Sequence, residues 1–235
     1  MSHKNTRTCT LAQWLENVHL KDVIRQFSYM LGLSPVCEIL NRIRRHGIDL
    51  SQVSAIELFG GTGSMFTREI AANVSDLEAW EIDPIAAHVL QHNIPYAKVR
   101  LVDSVQEVKC TQREFGLVSI DNPMSAFGSG YCEHFDLFPH AFRLAAPRSV
   151  FIVTFIPYLN NRAKHRFSYL FNPQHLGRRA AFYGTYAPEN VSVDQTMSVF
   201  AEFAEQTKLF IDWHFAQPRN DIIHALVFGV HRQIR

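Results

Sequence analysis

The spacing of hydrophobic residues along the chain changes at Val53. Between residues 11 and 46 they recur every three or four positions, with an interruption around Pro35. This spacing places apolar side chains on one face of a helix, and a proline commonly interrupts such a helix. We therefore expect residues 1–50 to form a helical segment that packs as a cap on the rest of the protein.

After Val53, short apolar runs alternate with stretches of helical spacing at residues 67–72 and 84–92. Strands that alternate with helices are typical of βαβ units and a parallel sheet. The pattern therefore predicts an α/β domain over residues 51–235. The apolar runs are VSAIELF, LEAWEI, AKVRLV, FGLVSI and SVFIVTF, which begin at residues 53, 77, 97, 115 and 149.

The chain closes with two apolar segments, KLFIDWHFAQ and IIHALVFGVHR, on either side of the polar turn at residues 218–221. Two such segments joined by a short turn with Pro, Asn and Asp are typical of a β-hairpin. We expect this hairpin to complete the sheet.

The composition fits one sizeable domain with a helical extension. The chain has 235 residues, and its 47% hydrophobic content is ample for a single core. Lys+Arg number 23 and Asp+Glu 22, which leaves a formal net charge of +1. The overall charge therefore neither requires nor excludes a nucleic-acid partner, and any argument for one must be local.

The cysteines and the N-terminus bear on the cellular compartment. The four cysteines form no Cys-x-x-Cys pair, and the start, MSHKNTRTCT, is polar. The apolar run Ser149–Pro157 is shorter than the roughly 20 residues that a membrane-spanning helix needs. These features predict a cytoplasmic protein with no membrane segment. They do not indicate an oligomeric state.

The sequence IELFGGTGSM, residues 56–65, places three glycines in four positions directly after a predicted strand. Glycine lets the chain turn sharply and lets a ligand lie against bare backbone. Such a turn serves dinucleotides, phosphates and S-adenosylmethionine, and some of these turns are only structural. The turn predicts a nucleotide-like ligand, and its neighbours must decide which one.

The second predicted strand ends in Glu81-Ile82-Asp83, about twenty residues beyond the glycines. A carboxylate at this spacing can accept hydrogen bonds from both hydroxyls of a ribose, in dinucleotide sites as well. Asp83 precedes Pro84 and is typical of a helix N-cap. Glu81 is therefore the ribose candidate.

Together, the strand, the glycine-rich turn, the second strand ending in an acid and the closing hairpin resemble the class I S-adenosylmethionine-dependent methyltransferases. The resemblance extends from about residue 53 to the C-terminus. It implies a Rossmann-like, mostly parallel seven-stranded sheet with a C-terminal antiparallel hairpin. It also implies S-adenosylmethionine as the cofactor.

The segment ELFGGTG, residues 57–63, resembles the first motif of that family. By this resemblance, Glu57 would pair with the ammonium group of the cofactor. The turn at Gly61 and Gly63 would give the methionine moiety room against the backbone. Phe59 stands where many members have another glycine, and this aromatic variant resembles members that act on nucleic acids.

The same resemblance gives roles to residues at the ends of the second and third strands. Glu81 would hold the ribose, and Ile82 would pack on the adenine. Asp103 matches the position that faces the adenine amino group. A helix cap is the alternative role for Asp103, and the sequence leaves it open.

The fourth predicted strand is followed by Asp121-Asn122-Pro123-Met124. Amino-group methyltransferases of the family have a D/N-P-P-aromatic tetrapeptide there, whose polar side chain and backbone carbonyl accept hydrogens from the target amino group. Asp121, Asn122 and Pro123 are therefore the catalytic candidates. The sequence departs from the motif at two positions in this register, and also in the register that begins at Asn122.

The loop that follows could supply the missing aromatic ring through Phe127 or Tyr131, which we take as substrate-binding candidates. His134 is a candidate base on the substrate side, and the alternative is a histidine on the first turn of a surface helix. The Cys, His and acidic residues at 132–136 lack a second ligand pair, so we expect no metal site.

Residues 160–181 contain basic and aromatic side chains and no acidic residue. Basic residues among aromatics suit phosphates and stacked bases, although most charged runs are solvated surfaces. We take Arg178 and Arg179 as candidate substrate contacts and this segment as the candidate nucleic-acid surface. A small-molecule substrate is not excluded.

Three function classes remain. The first is an S-adenosylmethionine-dependent methyltransferase acting on a nitrogen of a nucleic-acid base, with a small-molecule N- or O-methyltransferase as its alternative. The second is a nicotinamide-dependent oxidoreductase, although Phe66 stands where the last small residue of G-x-G-x-x-G belongs. The third is a methyltransferase-like binding protein without turnover, which the altered motif at Asp121 leaves open.

Overall fold

The structure is a computed structural model, and it describes residues 34–122 and 133–233, apart from the side chains of Met65, Glu133 and His134. The predicted cap over residues 1–33 and the candidates Pro123, Phe127 and Tyr131 lie outside the described residues.

Seven strands form one sheet in the order β3-β2-β1-β4-β5-β7-β6. Strands β1 to β5 pair in parallel, and β7 pairs antiparallel with both β5 and β6. This arrangement confirms the mostly parallel seven-stranded sheet with a C-terminal antiparallel hairpin. The strands are β1 (Ser54–Glu57), β2 (Asp76–Glu81), β3 (Lys98–Leu101), β4 (Phe115–Ile120), β5 (Ala145–Phe155), β6 (Leu209–Pro218) and β7 (His224–Arg232).

Helices occupy both faces of this sheet and connect its parallel strands. They are α1 (Pro35–Arg45), α2 (Met65–Ala71), α3 (Pro84–Asn93), α4 (Ser104–Cys110), α5 (Glu133–Ala141), α6 (Asn161–Arg166), α7 (Pro173–Tyr183) and α8 (Val193–Gln206). Short 3₁₀ helices cover Leu50–Gln52, Phe142–Leu144 and Ser168–Phe171. Among the described residues, none of the helices has the length and apolar character to cross a membrane.

Several of the described helices begin directly after a residue whose side chain caps them. Asp83 accepts a hydrogen bond from the Ile85 backbone at 2.7 Å, and Pro84 occupies the first helical position. Ser34 caps α1 in the same way, with its side chain accepting from the Cys37 backbone at 3.1 Å. Such caps satisfy backbone N–H groups that a helix leaves without partners.

Successive residues of each strand point to opposite faces, so the sheet has two hydrophobic layers. On β1, Ala55 points to the layer that contains α1, α2 and α3, whereas Ile56 points to the layer that contains α5 and α8. Helix α1 buries Val36, Ile39, Leu40 and Ile43 in the first layer. The described part of the N-terminal segment is therefore a helix packed on the sheet.

Residues 156–192 form a third, smaller cluster beyond the carboxyl end of β5. Its centre contains Ile156, Leu170 and Tyr183, which are buried together with Phe135 of α5. A bridge between Tyr158 and Asn190 closes the base of this segment. The segment therefore has its own small core beside the edge at which the parallel strands end.

Candidate functional site

The candidate site lies at the carboxyl ends of the parallel strands. Strand order runs outward from β1 through β2 to β3, and the chain then returns to place β4 on the other side of β1. In open α/β sheets, ligands bind in the crevice at such a switch point. Glu57, Glu81 and Asp121 each lie at or directly after one of these strand ends.

The glycine turn between β1 and α2 is open on one side. Gly61 has φ +53°, and a Cβ atom built on it would meet nothing within 4 Å. Gly63 has φ +67°, but a Cβ there would lie 2.6 Å from Cδ1 of Leu90 and 3.2 Å from Cδ1 of Ile94. The two glycines thus serve different purposes, because Gly61 borders free space and Gly63 allows α3 to pack against the turn.

Glu81 connects the end of β2 to this turn. Its Oε2 accepts a hydrogen bond from the Gly61 backbone at 2.7 Å, and its Oε1 accepts from the backbones of Ile82 and Asp83 at 2.8 Å. Each carboxylate oxygen has more than one acceptor site. Glu81 can therefore keep the turn in place and still accept a bond from a ligand hydroxyl.

The two apolar residues predicted for the cofactor site, Ile82 and Phe59, differ in exposure. Ile82 is 44% exposed, which is high for an isoleucine and leaves a flat apolar surface beside Glu81. Phe59 is half-buried and packs against the core layer that contains Ile56. The structure therefore gives Phe59 a packing role and leaves Ile82 open to a ligand.

Asp103 caps helix α4. Its side chain accepts a hydrogen bond from the Val105 backbone at 2.9 Å, and the neighbouring Ser104 hydroxyl donates to the Leu58 carbonyl. The cap role that the sequence left open is therefore present. A contact between Asp103 and an adenine amino group stays a prediction.

Glu57, the last residue of β1, is completely buried. Neither of its carboxylate oxygens has a hydrogen-bond partner among the described residues, although the Ser119 hydroxyl and the Asp121 backbone are close enough to lower its pKa. Burial and then the negative charge of Asp121 outweigh these effects and raise the pKa to about 8. A buried carboxyl group without full hydrogen bonding favours its neutral form.

Asp121 forms an ion pair with Arg219, which follows β6. The Arg219 Nη1 atom donates to Oδ1 of Asp121 and, at 2.8 Å, to the Thr154 hydroxyl, while Nη2 donates to Oδ2 of Asp121 at 3.3 Å. The Thr154 hydroxyl also donates to Oδ1 of Asp121 at 2.5 Å. Asn122 is buried beside them, with 6% of its surface exposed.

Arg219 and Thr154 are not among the site residues that the sequence predicts. Arg219 is 98 residues from Asp121 along the chain and stands in a polar turn of ordinary composition. Its role becomes visible only when the hairpin folds back beside β5. The sequence contained no local signal for it.

The remaining catalytic candidate, His134, lies in the first turn of α5, and its side chain is not described. Its role as a base stays a prediction. The catalytic role of Pro123 and the substrate-binding roles of Phe127 and Tyr131 also stay predictions. Among the described residues, no group of three or more His, Cys, Asp or Glu side chains could hold a metal ion.

The prediction of Arg179 as a substrate contact is wrong in this structure. Arg179 is 0% exposed, and its guanidinium donates to the backbone carbonyls of Pro188, Ile156 and Pro157. It therefore joins α7 to the beginning and to the end of the segment at residues 156–192, and it does not reach the surface. The sequence showed a basic residue but not that backbone carbonyls surround it.

Arg178 pairs with Asp136 of α5, and about a third of its side chain is exposed. His175 of the same helix is buried, and its pKa is lowered to about 4 by burial and then by the charges of Arg179 and Arg178. The most exposed cations of residues 160–181 lie on α6. They are Arg162, Lys164 and Arg166.

No protein-family model matches the sequence. No curated protein matches it either. Among solved structures, the chain is similar to magnesium protoporphyrin IX methyltransferase from Synechocystis with bound SAH, at 12% identity and a TM-score of 0.55 over 92% of this chain and 89% of that one.

Two further structures have comparable similarity. TYW2 from M. jannaschii, in complex with AdoMet, is 14% identical with a TM-score of 0.51 over 83% of this chain and 76% of that one. A putative sarcosine dimethylglycine methyltransferase from Galdieria sulphuraria is 10% identical with a TM-score of 0.53 over 84% and 85%. The chain has the class I methyltransferase fold.

Proposed function

We propose that this protein binds S-adenosylmethionine at the glycine turn and transfers its methyl group to a nitrogen of a nucleic-acid base. The observation that carries the proposal is the crevice at the carboxyl ends of β1 and β2. There the open backbone of Gly61, the carboxylate of Glu81 and the buried carboxyl of Glu57 lie at neighbouring strand ends.

The residues of the crevice fit the cofactor. Free space at Gly61 suits the methionine moiety, and the spare acceptor sites of Glu81 suit the ribose hydroxyls. Ile82 offers an apolar surface for the adenine. Glu57 lacks a hydrogen-bond partner among the described residues, and a cationic ammonium group would favour its charged form.

The reaction needs little from the protein beyond alignment. The sulfonium of the cofactor supplies an activated methyl group. Asn122 would accept a hydrogen bond from the attacking nitrogen and orient it, because it follows the last residue of β4 by two positions, at the edge where the parallel strands end. Proximity and orientation of the two reactants account for much of the barrier in such displacements.

The nucleic-acid substrate is supported by helix α6 and the segment around it. Lys164 lies over the ring of Phe171 at 5.8 Å, and Arg166 lies over Phe167 at 5.4 Å. Residues 156–192 also contain exposed tyrosines. They are Tyr158, Tyr169 and Tyr186, which are 55%, 39% and 107% exposed. Exposed aromatic rings and cations suit stacked bases and phosphates.

A small-molecule substrate is the second candidate. The burial of Arg179 and the pairing of Arg178 with Asp136 remove two of the cations on which the nucleic-acid interpretation rested. Two of the similar structures are named for small molecules, magnesium protoporphyrin IX and sarcosine or dimethylglycine.

The test is a tritiated-methyl transfer assay with three acceptor pools, which are total RNA, total DNA and a low-molecular-weight cell extract. The proposal expects counts in RNA or DNA and none with the Asn122→Ala variant. Counts confined to the extract would establish the small-molecule alternative. A protein that binds the cofactor but labels no pool would be the binding protein without turnover.

A further inference from the structure

Arg219 contacts residues of several elements at the edge of the sheet where the parallel strands end. Its guanidinium bonds to both carboxylate oxygens of Asp121 after β4 and to the hydroxyl of Thr154 on β5. Its Cζ also lies 4.2 Å from the centroid of the Phe66 ring, on the helix that follows the glycine turn. One side chain from the C-terminal hairpin therefore contacts β4, β5 and α2 together.

The geometry of this ion pair restricts Asp121. Arginine presents a planar fork that matches a carboxylate, so two bonds fix the orientation of the carboxylate as well as its position. Only 18% of the Arg219 side chain and 24% of the Asp121 side chain are exposed, so water competes weakly for these bonds. Thr154 donates to the same carboxylate from a third direction.

This pairing bears on which of the two catalytic candidates after β4, Asp121 or Asn122, contacts the substrate. The Oδ1 atom of Asp121 accepts bonds from both Arg219 and Thr154, and its Oδ2 atom accepts one from Arg219, so this carboxylate is directed towards the hairpin and β5. The adjacent Asn122 begins the other register of the altered tetrapeptide. The ion pair fixes the backbone from which Asn122 extends. The cation also partly offsets the effect of Asp121 on Glu57, since Arg219 lowers the pKa that Asp121 raises.

We propose that Arg219 is a positioning residue of the methyl-transfer site. It holds Asp121 in a fixed orientation at the end of β4, and thereby places Asn122 as the side chain whose Oδ1 atom accepts a hydrogen bond from the attacking nitrogen. The inference rests on the proposed methyl transfer and adds to it. It assigns the pairing role to Asp121 and the substrate contact to Asn122.

The test compares the variants Arg219→Gln, Arg219→Lys and Asp121→Asn in the full-length protein. Arg219→Gln should lower kcat by roughly 10- to 100-fold, because a displacement of about 1 Å can cost that much. The KM for S-adenosylmethionine should change by less than about threefold, since the contact acts on orientation. Arg219→Lys keeps the charge but loses the fork, so its kcat should be intermediate.

The control is Arg232→Gln. Arg232 lies at the other end of the same hairpin and pairs with Glu114 at 2.8 Å, far from the strand ends that carry the site. Its removal should leave kcat unchanged. A double variant of Arg219→Gln and Asp121→Asn should lose no more than the worse single variant, because the two residues act as one unit.

A second readout does not depend on turnover. The side-chain amide signals of Asn122 in the ¹⁵N spectrum of the cofactor-free protein, assigned through Asn122→Ala, should shift or broaden in Arg219→Gln and remain in place in Arg232→Gln. Circular dichroism should show that both variants stay folded. If Arg219→Gln does not fold, Arg219→Lys provides the same comparison.

Unchanged kcat and unchanged Asn122 signals in a folded Arg219→Gln variant would overturn the inference. An equal loss of kcat in Arg232→Gln would also overturn it, because the effect would then be general to the hairpin. If Asp121→Asn loses far more activity than Arg219→Gln, Asp121 itself contacts the substrate. A wild-type protein that binds no cofactor and transfers no methyl group would contradict the proposed function, whatever the variants do.

Discussion

Glu57 makes the stability of the folded protein depend on pH. Its carboxyl group is fully buried and its pKa is raised from 4.5 to about 8, mainly by burial and then by the charge of Asp121. In the unfolded chain the same group ionises at its ordinary pKa. Between these two values the folded protein therefore binds one proton that the unfolded chain has released.

This difference predicts a loss of stability with rising pH. The contribution of Glu57 to the free energy of unfolding is fully present below pH 4.5 and is lost as the pH rises towards about 8, by up to about 1.4 kcal/mol per pH unit. Chemical denaturation of the cofactor-free protein between pH 6.5 and 8 measures the slope. This range lies above the ordinary pKa of His175, whose lowered pKa gives an opposite slope below pH 6.5.

Glu57→Gln should remove the slope, because glutamine does not titrate. Glu205→Gln is the matched control, since Glu205 is exposed on α8, and it should keep the wild-type slope. A wild-type protein whose stability is constant over this pH range would show that Glu57 is ionised in the folded state.

Gly61 allows the cofactor prediction to be tested without disturbing the core. Gly61→Leu should abolish S-adenosylmethionine binding, because the new side chain would enter the free space beside the turn. Its positive φ adds roughly 1 kcal/mol of strain. Gly184→Leu is the control, since Gly184 has φ +60° and equally free surroundings at the end of α7. Calorimetric titration that gives equal affinities for the two variants would place the cofactor elsewhere.

Helices α6 and α7 differ in the exposure of their arginines, although the sequence shows both as parts of one basic segment. Helix α7 is held to the domain by Arg179 through three backbone carbonyls, whereas the cations of α6 are exposed. Composition alone shows both helices as basic. Which arginine becomes buried depends on the backbone of residues 156–188, which the sequence does not reveal.

Arg179→Gln should destabilise the protein by about 2–5 kcal/mol, because it removes a buried cation and leaves carbonyl groups without a donor. The expected result is a lower thermal midpoint and early proteolytic cleavage within residues 156–192. Arg162→Gln is the comparison, since its pair with Asp221 is 74% exposed on both sides and should contribute little. Equal midpoints for the two variants would contradict the structural role of Arg179.

The double variant Lys164→Gln and Arg166→Gln tests the nucleic-acid surface. If these cations contact phosphates, the slope of log affinity against log salt concentration should decrease by about one to two for single-stranded RNA. Fluorescence anisotropy with a labelled oligonucleotide at several salt concentrations measures it. An unchanged slope and affinity would mean that α6 is a solvated surface, and would favour the small-molecule substrate.

At the scale of the whole molecule, the sequence predicted the sheet better than the site. Strong apolar runs and the glycine turn indicated the parallel strands and the closing hairpin, and the structure confirms both. β5 begins at Ala145, four residues before the predicted run at Ser149. The apolar pattern did not indicate these four residues, because Pro147 and Arg148 are exposed and polar or strand-breaking.

Long-range contacts explain what the sequence could not show about the site. Glu57, Glu81 and Asp121 could be placed at strand ends from their local surroundings. The pairing of Asp121 with Arg219 depends on how the hairpin folds back across the sheet. The packing of Gly63 against Leu90 depends in the same way on the position of α3.

We expect the crevice at the carboxyl ends of β1 and β2 to bind S-adenosylmethionine. Isothermal titration of the wild-type protein with S-adenosylmethionine should give one site per chain, and NAD should give no heat of binding. Glu81→Ala should weaken the binding by about 1.5–3 kcal/mol, the value of hydrogen bonds to a charged group. Binding of NAD in place of S-adenosylmethionine, or an affinity that Glu81→Ala does not change, would show that this crevice is not the S-adenosylmethionine site.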